Sequence, residues 1–330
     1  MTSTIFISTI PFGEIDPEPI RLMKDAGLEF SINALGRKLQ PDEVAGVYGD
    51  NAIIIAGTEP ITREVMAACP NLKAICRVGI GLDGIDLTEA RARDIAVSYT
   101  PDAPSAAVAE LTVGLMVDLL RNISGADREI RGGTWQRRAG RRLSLCKVGI
   151  IGAGRIGGQV IRHLSGGFPG IEILGNDIEP NASLDGSVTW TDKETIYREC
   201  DVISLHVPLT PETENMIQTA ELALFKPDAV LVNTARGGIV NERDLAQALR
   251  DGTLARAAFD VFSEEPYQGE LTELENIVLT CHLGSMTQDC RARMEIEATQ
   301  EAIRFVRGEA FHTPVPEAEY GLALKRIEKT

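Results

Sequence analysis

A positive balance is missing from this sequence. Its 330 residues carry 33 Lys and Arg against 48 Asp and Glu, for a net charge of −15 and a pI of about 4.8. No basic field is available to displace counterions from nucleic acid, so a nucleic-acid partner is not expected. Long apolar runs are missing as well. No stretch of about 18 apolar residues exists to span a bilayer, and no membrane partner is expected. The start, MTSTIFISTIPFGEID, lacks the basic region and apolar core of a secretory signal. Cysteine is sparse. The six, at 69, 76, 146, 200, 281 and 290, form no C-x-x-C pair, which argues against a disulfide framework or a zinc knuckle and for the reduced, packed thiols of a cytoplasmic protein. No metal site, internal repeat or low-complexity segment is expected.

What is present is an ordinary globular composition, 44% hydrophobic and 25% charged, in a chain long enough for two domains. The most informative stretch is Lys147–Asp177, KVGIIGAGRIGGQVIRHLSGGFPGIEILGND. Val148–Ile151 is a short apolar run, the pattern of a buried parallel strand. Gly152, Gly154 and Gly157 follow as G-x-G-x-x-G, which supplies a tight turn, room for a pyrophosphate and close packing of helix on sheet. The next helix starts near Arg155 and offers unpaired N–H groups and a positive dipole end to an anion. A second apolar run, Ile171–Gly175, delivers Asp177, 177 − 157 = 20 residues beyond Gly157, the interval at which an acid meets a ribose 2′-OH. Strand, helix, strand and acid in this order predict a dinucleotide site.

The rest of the chain alternates in the same way. Strands are predicted at Thr4–Ser8, Ala52–Ala56, Lys73–Arg77 and Ala96–Ser98, with helices at Pro17–Ala26, Thr62–Ala68 and Leu87–Arg93. This first hundred residues has no fingerprint glycines at Thr9–Gly13 and reads as a separate, smaller α/β layer. Ser105–Asn122 is a long helix, apolar over most of its circumference, as suits burial between layers or domains. Asp127–Trp135 is read as continuing helically into a basic loop, Arg137–Arg142. Beyond the fingerprint, strands are predicted at Asp201–Leu205, Ala229–Asn233, Ala255–Phe259 and Ile277–Thr280, and helices at Thr191–Arg198, Ala220–Phe225, Glu242–Arg250 and Asp289–Arg307. The tail from 309 is too poor in apolar residues for a core element of its own.

The expected fold class is α/β: two Rossmann-like, doubly wound parallel-sheet domains with an active-site cleft between them. Residues 102–285 form the NAD-binding domain. Residues 1–101 and 286–330 form a discontinuous substrate domain, with the two long helices crossing between the domains. Ligands of open α/β sheets bind beyond the carboxyl ends of the strands. Four chemically useful groups sit at such ends: Arg236, Glu265, His282 and the Gly79–Gly81 turn. His206 also follows a strand, but has no acid and glycine loop of its own and reads as structural or cofactor-adjacent.

These stretches resemble the D-isomer-specific 2-hydroxyacid dehydrogenases over nearly the whole length. The matching motifs are RVGIGLDGID at Arg77–Asp86, AVAEL at Ala107–Leu111, the fingerprint, HVPLTPET at His206–Thr213, NTARGG at Asn233–Gly238, DVFSEEP at Asp260–Pro266 and TCHLG at Thr280–Gly284. The likeness is greatest to the phosphoglycerate and glyoxylate/hydroxypyruvate enzymes. The resemblance implies hydride transfer between NAD and a small anionic 2-hydroxy or 2-keto acid. It implies that Arg236 binds the substrate carboxylate, a task for a permanently charged planar fork. It makes His282 the acid–base and Glu265, not Glu264, its partner carboxylate. Val78, Gly79 and Ile80 would offer backbone N–H groups to the same substrate carboxylate. The cofactor would be held by Gly152, Gly154, Arg155, Ile156, Gly157, Asp177, His206, Val207, Pro208, Thr213, Thr234, Ala235, Asp260 and Gly284. A homodimer is implied too.

Two departures bear on the substrate. Cys281 stands where the family often has Pro, and as the neighbour of His282 on an extended segment it points to the opposite face. Ala56-Gly57-Thr58 stands where phosphoglycerate enzymes can carry an Arg, which weakens the case for a phosphate- or phosphonate-bearing substrate unless Arg137 and Arg138 compensate. Glyoxylate or hydroxypyruvate reduction is the alternative. An NAD-sensing corepressor-like binding protein is the alternative of another class. A regulatory amino-acid-binding domain is not expected in a chain of this length.

Overall fold

The computed structural model describes residues 4–321. They form two compact units, one of residues 4–104 and 286–321, the other of residues 105–285. Each is a parallel sheet flanked by helices.

In the first unit the strands are β1 (Ile5–Ile7), β2 (Phe30–Ile32), β3 (Ile53–Ala56), β4 (Ala74–Arg77) and β5 (Ala96–Ser98), in the order β2-β1-β3-β4-β5. The buried β3 sits at the centre, and all four of its residues are buried. Thr62 caps the helix Arg63–Ala68 by accepting the Val65 N–H, and Asp86 caps Leu87–Ala92 through the Glu89 N–H, satisfying donors that a helix start leaves open. The long helix Gln288–Val306 packs on this sheet. It carries a buried ion pair, Arg291 Nε to Glu295 Oε1 at 2.6 Å. Arg291 also donates to Thr9 Oγ1 and the Pro11 carbonyl, and Glu295 accepts the Gly13 N–H, so one helix turn fixes the loop after β1. The tail contributes more than expected. Val315 is 8% exposed within the core of this unit, its N–H bonds the Val97 carbonyl, and Pro314 bridges Ser98. Its last residues, 322–330, lie outside the described ones.

The second unit has β6 (Lys147–Ile151), β7 (Glu172–Asn176), β8 (Thr189–Trp190), β9 (Val202–Leu205), β10 (Val230–Asn233), β11 (Arg256–Phe259) and β12 (Ile277–Leu279). Their order is β12-β11-β10-β9-β6-β7-β8, the doubly wound arrangement in which the chain reverses beside its first strand. Apolar clusters cover both faces of this sheet, as continuous apolar strands require. The register is what builds the site. Asn176 pairs with Ile151, Ile151 with Leu205, Leu205 with Asn233, Asn233 with Phe259 and Phe259 with Leu279. The final residues of six strands thus form one row, and their following loops leave from one edge.

The helix Pro104–Arg121 forms as predicted, but it does not run on to Trp135. Asn122 adopts a left-handed conformation with φ +55° and separates it from Ile123–Arg131. That second helix stops at Gly132 and Gly133, the latter at φ +80°. Trp135 lies beyond it, 81% exposed. Strands β2 and β8 and the short helix Val44–Tyr48 were not predicted.

Candidate active site

The glycine turn after β6 is shaped by what cannot fit. A Cβ on Gly152, which has φ +90°, would lie 2.6 Å from the His206 carbonyl carbon. A Cβ on Gly157 would overlap the Gly152 carbonyl oxygen, so helix Arg155–Gly167 enters against the turn at backbone distance. Gly154 differs: nothing lies within 4 Å of where its Cβ would be. The chain therefore presents open space at the helix N-terminus, where an anion is favoured. Asp177 closes the turn by accepting the Ala153 N–H at 2.6 Å and the Glu179 N–H at 3.3 Å. Carboxylate, open glycine and helix start lie together at the turn, a donor set compatible with a dinucleotide, although both Asp177 oxygens already accept backbone N–H groups. Arg155 and Ile156 open the helix beside them.

The loop after β9 backs this turn. His206 Nε2 is 2.9 Å from Ser204 Oγ, and its Nδ1 is buried without a partner among the described residues. Burial of its ring pushes the imidazole down to about 3, which disfavours a proton-carrying role for it. Val207 and Pro208 continue the loop, and Thr213 braces it by accepting the Thr210 N–H and donating to the Pro208 carbonyl.

Three further loops carry the reactive groups. After β10, Asn233 donates to the Arg236 carbonyl and accepts the Ala235 N–H, turning the chain so that Arg236 follows Thr234 and Ala235 at the sheet edge. Its guanidinium donates to the Ala235 carbonyl at 2.6 Å. Gly237 packs on the Phe262–Ser263 peptide so closely that a Cβ would overlap it. The Arg236 loop and the loop after β11 are therefore in backbone contact. From that second loop, Glu265 reaches His282: Nδ1 lies 2.9 Å from Oε2 and 3.1 Å from Oε1. The Phe262 N–H also donates to Glu265. His282 is 39% exposed on its side chain, and its Nε2 has no partner among the described residues.

His282 stands at φ +56°, a conformation that costs about 1–3 kcal/mol in a non-glycine residue. Asp260 holds it there. The Asp260 carbonyl accepts the His282 N–H, and its carboxylate accepts from Thr280 Oγ1, the Leu283 N–H and the Gly284 N–H at 2.6–2.8 Å. Asp260 is 1% exposed. Expected as a cofactor contact, it has both oxygens engaged in the loop that carries His282.

In the first unit the Val78–Ile80 turn also departs from expectation. The Val78 N–H bonds the Ala56 carbonyl and the Gly79 N–H bonds Thr100 Oγ1. Of the three amides, only that of Ile80 is without a protein partner among the described residues. Arg77 folds over the turn, donating to the Val78 and Gly81 carbonyls. Sequence reasoning also missed Glu59, 3% exposed, which accepts from Ser8, Tyr48 and the Gly57 N–H. Of the basic loop, Arg138 pairs with Glu129 at 2.7 Å and Arg141 with Asp228 at 3.1 Å. Arg137 is exposed, with no partner among the described residues.

Among the described residues no group of His, Cys, Asp and Glu could hold a metal, and no helix is long and apolar enough to cross a membrane. Comparison with known proteins agrees with the geometry. The family model described as D-isomer specific 2-hydroxyacid dehydrogenase, NAD binding domain, matches residues 113–284. A glyoxylate reductase of Thermococcus litoralis is 37% identical over 269 residues, covering 78% of this chain and 81% of that protein. A D-3-phosphoglycerate dehydrogenase of Methanocaldococcus jannaschii is 37% identical over 266 residues, which are 79% of this chain but 50% of that longer protein. The crystal structure of a glyoxylate reductase from Paecilomyes thermophila superposes with a TM-score of 0.84 at 27% identity, covering 96% of this chain and 99% of that one. The chain belongs to the D-isomer-specific 2-hydroxyacid dehydrogenases, oxidoreductases that act on a CH–OH group with NAD.

Proposed function

We propose that this enzyme reduces a small, unphosphorylated 2-keto acid of the glyoxylate or hydroxypyruvate kind to its D-2-hydroxy acid. The observation that carries this reading is the Glu265–His282 pair, with Nδ1 on the carboxylate and Nε2 outward, on a loop system in backbone contact with that of Arg236. Bound NADH supplies the hydride. Arg236 takes the substrate carboxylate on its fork and polarises the keto group. His282 Nε2 delivers a proton to the keto oxygen as C2 is reduced and recovers it from the hydroxyl in the reverse direction. Glu265 accepts the Nδ1–H, which fixes the tautomer and orients the ring.

The loop after β3 favours the unphosphorylated substrate. By the family resemblance, phosphoglycerate enzymes can carry an Arg there, whereas this loop reads Ala56, Gly57 and Thr58 followed by a buried carboxylate, Glu59. Arg138 is neutralised by Glu129. The phosphoglycerate-like alternative rests on Arg137 alone. Steady-state NADH oxidation with glyoxylate, hydroxypyruvate and phosphohydroxypyruvate tests the choice, with Arg137→Ala beside the parent. Preference for the phosphorylated acid, with KM raised by Arg137→Ala at unchanged kcat, would reverse it. NADH binding without turnover of any keto acid would support the corepressor-like reading.

The same reading takes the enzyme as a cytoplasmic homodimer. Support comes from the helix Ile123–Arg131, which buries no residue and exposes Ile123 (54%) and Ile130 (57%), from the exposed Trp135 that follows it in the chain, and from six cysteines that are all free thiols. Sedimentation of Ile130→Asp, expected to be monomeric, tests the interface.

A further inference from the structure

Behind the Arg236 loop lie two buried hydroxyls that the mechanism leaves unused. Thr112, 0% exposed on the helix Pro104–Arg121, donates to the Val108 carbonyl one turn earlier at 2.8 Å. A hydroxyl has one hydrogen. The 2.8 Å contact between Thr112 Oγ1 and Thr234 Oγ1 therefore has Thr234 as its donor. Thr234 is 5% exposed and stands two residues before Arg236. A helical threonine that bonds back to its own helix is commonplace; the second bond, to a loop 122 positions away, is not explained by the helix.

The same helical turn reaches the other catalytic loop. A Cβ on Gly284 would lie 3.1 Å from Val108 Cγ2, and the Gly284 N–H is held by Asp260. The contacts form a closed ring. It runs from Thr112 through Thr234 to Arg236, through Gly237 to the Phe262–Ser263 backbone, through Glu265 to His282, and through Gly284 back to Val108. Every member belongs to the second unit.

We infer that Thr112 is a positioning residue for catalysis: by accepting the Thr234 hydroxyl it fixes the Arg236 guanidinium relative to His282. It acts through Thr234 and does not touch the reacting atoms. The inference rests on the reading of Arg236 as the substrate's carboxylate ligand. Without the Thr112 hydroxyl, the buried Thr234 hydroxyl loses its acceptor and must turn elsewhere, moving the backbone that leads into Arg236. Misplacement of a binding group by an ångström costs catalysis about 100-fold.

The test compares Thr112→Val, Thr112→Ser, Thr112→Val with Thr234→Val, and Arg236→Ala, each measured for glyoxylate kcat/KM, NADH Kd by fluorescence and Tm. Thr112→Val is expected to lose about 10- to 100-fold in kcat/KM while NADH Kd stays within about twofold, the size of an ordinary surface perturbation. Thr112→Ser keeps the acceptor and is expected to restore turnover. The double variant replaces both hydroxyls by apolar groups of the same shape, leaving no unpartnered polar group. Its Tm should recover while its kcat/KM does not, which a purely structural role would not produce. Should Thr112→Val fail to fold, this double variant carries the test. Parental kcat/KM in folded Thr112→Val, or activity returning with Tm in the double variant, overturns the inference. Arg236→Ala separates the two failures. If it retains turnover, the reading of Arg236 is wrong; if it is inactive while Thr112→Val is unaffected, only the positioning role falls.

Discussion

Gly237→Ala asks whether the Arg236 loop and the Glu265 loop work as one body. The added Cβ would stand well under 3.0 Å from the carbonyl carbon and oxygen of Phe262 and from the Ser263 nitrogen. All three are backbone atoms, so no side-chain rotation relieves the overlap. Gly237 is not among the glycines at positive φ. Alanine is thus conformationally acceptable there, and the whole effect comes from lack of room. Overpacking of this kind costs about 1–3 kcal/mol, and the stiffer unfolded chain of alanine offsets about 0.4–1 kcal/mol of it. The net loss of stability is then modest, a fall of a few degrees in Tm. The loops, however, must part by about an ångström, and a displacement of that size between reacting groups is worth about 100-fold in rate, or about 2.7 kcal/mol in the barrier. Activity should therefore fall much further than stability. The assay is kcat/KM for glyoxylate by NADH absorbance, well below the variant's Tm, with NADH Kd measured separately. Parental kcat/KM in a variant with lowered Tm would refute the reasoning, because the loops would have separated without consequence.

Gly154→Ala should do the reverse: with nothing within 4 Å of its Cβ, Tm should hold while NADH binds about tenfold more weakly, 1.4 kcal/mol; an unchanged Kd would mean the open space is not the pyrophosphate's. Glu265→Gln replaces the carboxylate that holds His282 Nδ1 by a neutral amide, so kcat for ketone reduction should fall at least about tenfold, 1.4 kcal/mol in the barrier, while NADH Kd holds; an unchanged kcat excludes Glu265 from the proton step. Arg291→Leu strands the Glu295 carboxylate, 1% exposed, with only the Gly13 N–H, at a cost of about 3–5 kcal/mol near neutral pH. Burial already raises the Glu295 carboxyl above its usual range, so its protonated form favours the fold at low pH and that contribution is lost as pH rises; the penalty in urea melts should shrink between pH 8 and pH 5, and equal penalties would refute it.

How much of this was legible in the sequence follows from how each element is buried. β3, β6, β9 and β10 are buried on both faces and show as apolar runs. β2 is an edge strand with two of its three residues exposed, and β8 has two residues, so neither leaves a pattern. The helix expected to Trp135 has Asp127 and Arg131 as a real i,i+4 pair, but two glycines end it, and a lone tryptophan imitated its continuation. Val315 enters the core as one residue laid beside β5, too little to register as hydropathy. Arg236, Glu265 and His282 were legible because parallel strands bring their carboxyl ends to one edge whatever lies between them in sequence. The groups that hold them were not. Thr112 is one polar residue in an apolar helix, and only coordinates show that it meets Thr234.

The two strand-end histidines show what the fold adds to the motif. His206 and His282 both lie just past a buried parallel strand, so strand position alone gives them equal claim to the proton. Their surroundings divide them. The His206 ring backs the Gly152 turn, with Ser204 on one nitrogen and a buried second nitrogen that has no partner among the described residues. Burial opposes its charged form, which pushes it down to about 3, and among the described residues no carboxylate pairs with it. His282 is tied at Nδ1 to a carboxylate and leaves Nε2 outward. A ring that is to pass a proton needs one nitrogen held by a partner and the other open to the substrate. Among the described residues only His282 has both. The Asp260 clamp holds His282 at its unfavourable φ, so the loop that carries the ring is fixed by groups outside the motif itself.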